Sequence, residues 1–229
     1  MIIDAHCHID MLSAPEKYLI EMEQSEIITI GMTNRPSHYL MGRPHFNGLR
    51  HSRLAIGFHP QLVGQIKSEL STFINCLDST SYVGEIGLDF SADYESTKPL
   101  QIACFEEICS NLKGKSKIVS IHSRKAERKA IEIINRNEVS TPIFHWYTGP
   151  LGLIPQIIEL GGYFSVNEAM TLSENGRKII SHIPLNRILT ESDAPYNKKS
   201  NIISALNNLN IDSTIIYSNF KTLMNTISK

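Results

Sequence analysis

Apolar and polar positions along the chain alternate between two patterns. Short runs rich in β-branched residues are followed by stretches in which apolar residues recur every three or four positions. The short runs predict eight strands: Ile2–His6, Ile27–Gly31, Leu54–His59, Tyr82–Leu88, Ile118–His122, Pro142–Trp146, Tyr163–Val166 and Arg187–Glu191. Between them, Ile66, Leu70, Phe73, Ile74 and Leu77 fall on one helical face, as do Leu100, Cys104, Ile108 and Leu112, with Gly114 placed to stop that helix. Ala126, Ala130 and Ile134 form a third stripe. Leu151, Ile154 and Ile158 form a fourth, with Pro150 set for its first turn. Ile216, Phe220, Leu223 and Ile227 form the last, behind Asp212 and Ser213, either of which could cap. From Thr33 to Arg53 the chain is polar and turn-rich, and supports no helix assignment.

Strands alternating with helices imply a parallel sheet. Eight units leave about 29 residues each, at the lean end for an α/β barrel. The competitor, an open doubly wound sheet, wants a glycine-rich phosphate turn after its first strand, and neither G-x-G-x-x-G nor G-x-x-x-x-G-K-[ST] stands there. The expected fold is therefore α/β, a (β/α)8 TIM barrel built as a single domain over residues 1–229.

Composition narrows the function classes. Twenty-two basic residues against 23 acidic give a net charge of −1. That excludes a strongly basic nucleic-acid coat protein, but not an enzyme that grips a few phosphates locally. No run approaches the length of a membrane span. Asp4, His6, His8 and Asp10 stand where a signal peptide needs its apolar stretch, so a cytoplasmic chain is expected. Cysteines 7, 76, 104 and 109 form no C-x-x-C pair, which predicts reduced, packed thiols.

Chemistry gathers at the C-terminal ends of barrel strands. There the sequence places His6-Cys7-His8, Gly57-Phe58-His59, Gly84-Glu85-Ile86-Gly87-Leu88-Asp89, His122-Ser123-Arg124, His145-Trp146-Tyr147 and Glu191-Ser192-Asp193. Alternate residues of a strand face one side, so His6 and His8 can share a metal. Many polar groups on one rim would cost several kcal/mol if left unpartnered, and metal ions explain them together. The count fits two divalent ions. His6, His8 and Asp193 would hold the first, His122 and His145 the second, and Glu85 would bridge them. The mixed nitrogen and oxygen set suits zinc, manganese, iron or magnesium. Two metals about 3.5–4 Å apart clamp the attacking and leaving oxygens of a phosphoryl transfer. Asp193 would also serve as general base, with Glu85 as the second catalytic carboxylate.

The run IDAHCHID, GFHP, GEIGLDF, IHSR, FHWYTG and TESDAPY, in this order, resembles the TatD family of metal-dependent deoxyribonucleases. The resemblance covers Met1 to about Tyr196, with Ser218-Asn219-Phe220 similar to the family's C-terminal helix. It implies an amidohydrolase-like barrel, hydrolysis of DNA phosphodiesters, often from a 3′ end, and metal ligands at His6, His8, Glu85, His122, His145 and Asp193. GFHPQL, SIHSR, HWYTG and GGYFSV resemble more closely the TatD-like component of the Qat anti-phage defence system. That implies a defence role beside an ATPase and a QueC-like partner. Two features depart from the family: Lys125 replaces the usual aspartate after Ser123-Arg124, and YNKKSNIISALNNL lacks the usual arginine- and asparagine-rich motif.

For substrate, Arg124 could pair a phosphate bidentately, His59 could touch one, and Tyr147 or Trp146 could stack a terminal base. Lys125, Lys198 and Lys199 could extend a basic edge. Asp4 and Asp89 read as groups that orient histidines, and His38, His45, His51 and His182 as surface residues. Two divalent ions against Glu85, Asp193 and a hydroxide leave the site net positive by about one. This predicts capture of single-stranded DNA ends without a basic surface and without a membrane partner. The alternatives are a metal-dependent amide or ester hydrolase on the same barrel, and a non-catalytic scaffold in a defence complex.

Overall fold

The protein is described by a computed structural model, which covers residues 1–196 and 202–227. Eight strands stand among them: β1 (Ile3–His8), β2 (Ile28–Met32), β3 (Ser52–Leu54), β4 (Tyr82–Gly87), β5 (Ile118–His122), β6 (Pro142–His145), β7 (Tyr163–Val166) and β8 (Ile188–Thr190). Every neighbouring pair is parallel, in the order β1-β2-β3 and β4-β5-β6-β7-β8. Two seams join the halves. Ile56 bridges Val83, and Phe58 N–H donates to the Glu85 carbonyl at 2.9 Å. On the other side, Asp193 N–H donates to the His6 carbonyl at 2.9 Å and His8 N–H to the Ala194 carbonyl at 2.8 Å. The result is the eight-stranded barrel that the alternation of elements predicts.

The helices follow in chain order as α1 (Pro15–Gln24), α2 (Pro36–Gly42), α3 (Val63–Ile66), α4 (Leu70–Cys76), α5 (Lys98–Leu112), α6 (Glu127–Arg136), α7 (Ile154–Glu159), α8 (Glu168–Leu172), α9 (Glu174–Ile180), α10 (Ile202–Leu209) and α11 (Ser213–Met224). In α5, Cys104, Phe105, Ile108, Cys109 and Leu112 are buried, the stripe expected of a helix lying on a sheet. Gly114, at φ 74°, turns the chain away after it. In α11, Ile216, Phe220 and Leu223 face inward, and the cap is Asp212, whose side chain accepts from Thr214 N–H at 2.8 Å.

The differences from expectation have local causes. The stripe at residues 66–77 is not one helix but α3 and α4 separated by a 3-10 turn. Pro150 precedes the turn Leu151–Leu153, and Pro155 occupies the first turn of α7 instead. The polar stretch after Thr33 does hold a helix, α2, which buries only Pro36 and Tyr39. So short an apolar face leaves little periodicity to read. β1 is buried along its whole length, wedged between barrel interior and helix layer. No helix among the described residues is long and apolar enough to cross a membrane.

Candidate metal centre

Seven side chains from six strand ends converge at the C-terminal mouth. Glu85 stands at the middle. Its Oε1 lies 2.5 Å from His122 Nδ1 and 2.6 Å from His145 Nε2. Its Oε2 faces the other way, 3.1 Å from His8 Nε2, 3.2 Å from His59 Nε2 and 3.6 Å from His6 Nε2. Asp193 Oδ1 closes the far side, 3.5 Å from His8 Nε2 and 3.6 Å from His6 Nε2. His6 and His8 point Nε2 at Nε2 across 3.1 Å. The His6 ring stacks on His145, centroids 4.0 Å apart.

The backbone explains how these groups meet. The alternation of β1 sends His6 and His8 to one side. β4 shifts register against β5 between Val83 and Ile86, which is where Glu85 sits. Gly87, at φ 139°, lets β4 approach β5 so closely that a Cβ there would lie 2.0 Å from the His122 carbonyl oxygen. Trp146, at φ 38°, turns the chain directly after β6, and Asp193, at φ 51°, turns it three residues beyond β8, a conformation uncommon for residues with a side chain.

Neighbouring groups hold the rings. His6 Nδ1 meets Ser120 Oγ at 2.8 Å, which leaves Nε2 aimed at the centre. His122 Nε2 meets Asp89 Oδ2 at 2.9 Å, and Gln61 Nε2 donates to the same oxygen at 2.8 Å. His59 Nδ1 accepts from Gln61 N–H, which turns its Nε2 toward Glu85.

The electrostatics follow from burial and crowding. Burial, the largest single effect, would raise the Glu85 carboxyl, but His145, His59 and His122 together hold it well below the carboxylate range. Asp193 is likewise held low against burial by the His8 ring beside it and by the charges of His6 and His145. Burial and the neighbouring His145 charge drive His6 down to about 3. Burial would lower His8 too, yet the Asp193 and Glu85 carboxylates beside it lift it to about 9. His122 and His145 are raised in the same way by Glu85, against burial.

Three overlapping trios offer donor atoms within 4.8 Å of one another: His6, His8 and Asp193; His6, Glu85 and His145; and His59, Glu85 and His122. Glu85 Oε2 and Asp193 Oδ1 are buried oxygens with no hydrogen-bond partner, although ring nitrogens crowd both. Buried carboxylate oxygens without a donor are costly. Divalent cations fit this donor set, because imidazole nitrogens and carboxylate oxygens are their common ligands.

All six expected ligands thus sit at one centre. The expected partition differs: His145 groups with His6, and His122 groups with His59, which reaches the centre as closely as His8 does. Tyr147 is corrected. Its ring is buried against Phe144 and Phe164, and its hydroxyl donates to the Pro150 carbonyl at 2.8 Å, so no face remains for a base. Trp146 is partly buried against the core. Asp4 touches no imidazole; its carboxylate accepts from Ser192 N–H, His6 N–H and the Tyr18 hydroxyl, so it clasps the β1–β8 seam. Asp89 does hold a histidine. Arg124 and Lys125 are exposed at the rim, and Lys198 and Lys199 lie outside the described residues. His38, expected at the surface, is only partly exposed and meets Asp10 Oδ2 at 2.7 Å. Two neighbours went unassigned in the sequence. Glu191 is fully buried and accepts from Trp146 N–H and Asn167 Nδ2, both at 3.0 Å, and from the Ser165 hydroxyl. Tyr196, half exposed, sets its ring edge-on to His8.

Comparison with known proteins places this geometry. A family model described as TatD related DNase matches residues 3–215. An uncharacterized metal-dependent hydrolase of Methanocaldococcus jannaschii is 25% identical over 200 residues, spanning 85% of this chain and 78% of its own. A 3′-5′ ssDNA/RNA exonuclease TatD of Edwardsiella piscicida is 31% identical over 119 residues, half of this chain and 45% of its own. The crystal structure of YJJV, a TatD homologue of Escherichia coli, shares the fold with a TM-score of 0.84 at 20% identity, covering 99% of this chain and 97% of that one.

Proposed function

The chain belongs to the TatD-related DNase family of metal-dependent hydrolases, and from that premise we propose that it hydrolyses DNA phosphodiester bonds, releasing nucleotides from single-stranded ends. The carrying observation is Glu85, which turns one oxygen to His122 and His145 and the other to His6, His8 and His59. A carboxylate between two clusters of imidazoles suits a pair of cations needing an anion between them. His6, His8 and Asp193 would hold one divalent ion, and Glu85 would share the other with His122 and His59, His145 standing between the two groups. Five imidazoles to two carboxylates favour a nitrogen-binding ion such as zinc over magnesium. When bound, such ions supply Lewis acidity at the phosphoryl group and acidify the attacking water.

The protein's own groups do the rest. Asp193 Oδ1, unpartnered and held ionised, is the base that takes the water's proton. Ser120 and Asp89 fix the tautomers and tilts of His6 and His122. Arg124 at the rim pairs the scissile strand's phosphate. The 3′-5′ ssDNA/RNA exonuclease relative supports release from a strand end.

The test is metal content per chain, together with cleavage of 3′- and 5′-labelled single-stranded oligonucleotides with and without chelator. Two ions and chelator-sensitive release from one end are expected, and both are lost in Glu85→Ala. Metal without nucleotide release would transfer the site to amide or ester hydrolysis. Neither metal nor activity would leave a scaffold. The motifs GFHPQL, HWYTG and GGYFSV support the finer reading that the enzyme serves anti-phage defence in the cytoplasm beside an ATPase and a QueC-like protein. Phage protection lost in Glu85→Ala is expected; protection that survives Glu85→Ala would transfer the defence role to a scaffold, and no protection from the native chain would sink it.

A further inference from the structure

At the other end of the barrel, where β4 and β5 begin and the turn after α2 ends, lies a groove of about 570 Å³. Three cationic side chains line it: Arg43 after α2, Arg53 on β3, and Lys117 just before β5. Lys117 Nζ donates to the Thr80 carbonyl at 2.7 Å, and Arg53 Nη1 to the carbonyls of Ser52 and Leu49 at 2.7 and 3.1 Å. Among the described residues, none of the three is paired with a carboxylate. The carboxylate in the lining, Asp78, is engaged by Lys115 at 2.7 Å. The groove therefore holds an excess of positive charge on a chain whose net charge is −1. Carbonyl contacts leave the remaining N–H donors of both guanidinium groups and of the ammonium free for an anion. Burial lowers Lys117, in keeping with a cation drawn into the groove rather than left in bulk water.

We propose that this groove binds a mononucleotide, with its phosphate on Arg43, Arg53 and Lys117 and its sugar and base along the wall formed by Ser79, Thr80 and Ser81. Guanidinium forks match phosphate oxygens two at a time. The volume falls in the usual range for a small-molecule site, roughly 300–1,000 Å³, and is too small for a stretch of strand. The groove sits behind the barrel floor, away from the histidine mouth, so occupancy here is separate from turnover there. The proposal does not rest on the nuclease reading, although mononucleotides are what that activity would release.

Calorimetric titration of the full chain with deoxyadenosine 5′-monophosphate, inorganic phosphate and deoxyadenosine tests it. The titrations are run in the native protein and in Glu85→Gln, so that binding at the mouth is read apart from binding at the groove. In Glu85→Gln the monophosphate should still bind, inorganic phosphate more weakly, and the nucleoside not at all. Adding Arg53→Gln and Lys117→Gln should weaken the monophosphate by roughly tenfold or more. The same pair in the otherwise native chain should leave the fold, read by circular dichroism, and nucleotide release unchanged. No phosphate binding in Glu85→Gln, equal binding of nucleoside and nucleotide, or binding indifferent to the Arg53 and Lys117 changes would each overturn the proposal.

Discussion

Asp89 holds His122 from behind: its Oδ2 lies 2.9 Å from His122 Nε2, while the opposite nitrogen of the same ring, Nδ1, lies 2.5 Å from Glu85 Oε1. The ring is thus a rod between two carboxylates. One end fixes its tilt and protonation, and the other faces the centre of the site. Replacing Asp89 by Asn keeps the volume and removes the charge. We expect metal affinity or turnover to fall by about 10–100-fold, with little change in melting temperature. A metal titration alongside a melt checks this. If Asp89→Asn instead unfolds the protein, the residue's main work is its grip on Ser91, whose N–H and hydroxyl both reach Oδ1.

Gly87 sets the distance between β4 and β5. At φ 139° and with no room for a Cβ against the His122 carbonyl, Gly87→Ala must push the two strands apart. The expected cost is at least about 2 kcal/mol, and His122 should move off Glu85. Gly114, also at positive φ but with nothing within 4 Å of an added Cβ, is the control. Gly114→Ala should cost only about 1 kcal/mol and leave metal uptake unaltered. Denaturant midpoints and metal content of the two variants separate the effects of strain and of collision.

The sequence made the barrel legible because each strand is a short apolar run ending in a polar group, and that signal is local. The same locality made His6, His8, Glu85, His122, His145 and Asp193 readable as one rim. His59 was harder to place. Its approach to Glu85 depends on the Phe58–Glu85 backbone bond across the β3–β4 seam, a pairing between strands from different halves of the sheet. Tyr147 misled because it neighbours His145 in sequence, yet the left-handed turn at Trp146 sends its ring into the core. Asp4 misled for a related reason. β1 is irregular against β2 between Asp4 and Cys7, so the simple alternation from Asp4 to His6 does not carry through. Glu191 was readable in principle, two residues before Asp193, but a carboxylate serving backbone and amide donors leaves no sequence motif of its own.

Glu191 anchors the β6 turn. Trp146 N–H, Asn167 Nδ2 and the Ser165 hydroxyl all donate to it in a fully buried setting. Glu191→Ala strands these donors, each at a cost of about 1–3 kcal/mol. The turn that carries His145 should loosen with them. Chemical denaturation should show a large drop in stability, and metal uptake by the fraction still folded should also weaken. A stable variant with normal metal content would mean that water replaces the carboxylate at no cost.

The last expectation concerns acid. Glu23, near the end of α1, accepts from the N–H groups of Arg50 and His51 and from the Ser52 hydroxyl, and so fixes where β3 begins. Burial pushes its carboxyl up, but the bonds from Arg50, Ser52 and His51 outweigh it and hold the group below 4.5, its ordinary value. The folded state therefore gives up this proton more readily than the unfolded chain. The resulting stabilisation is fully present above the unfolded value and is lost as pH falls through the folded one. Glu23→Gln carries no proton to lose. Its melting temperature should lie below that of the native protein at neutral pH, and the gap should close as pH falls through the folded-state value of Glu23, below which both side chains are neutral. The group is only partly buried, so the gap should be small and should shrink further in high salt. Thermal melts of both proteins across the acid range measure it directly. A gap that persists unchanged into acid would assign the effect to hydrogen-bond shape rather than to charge.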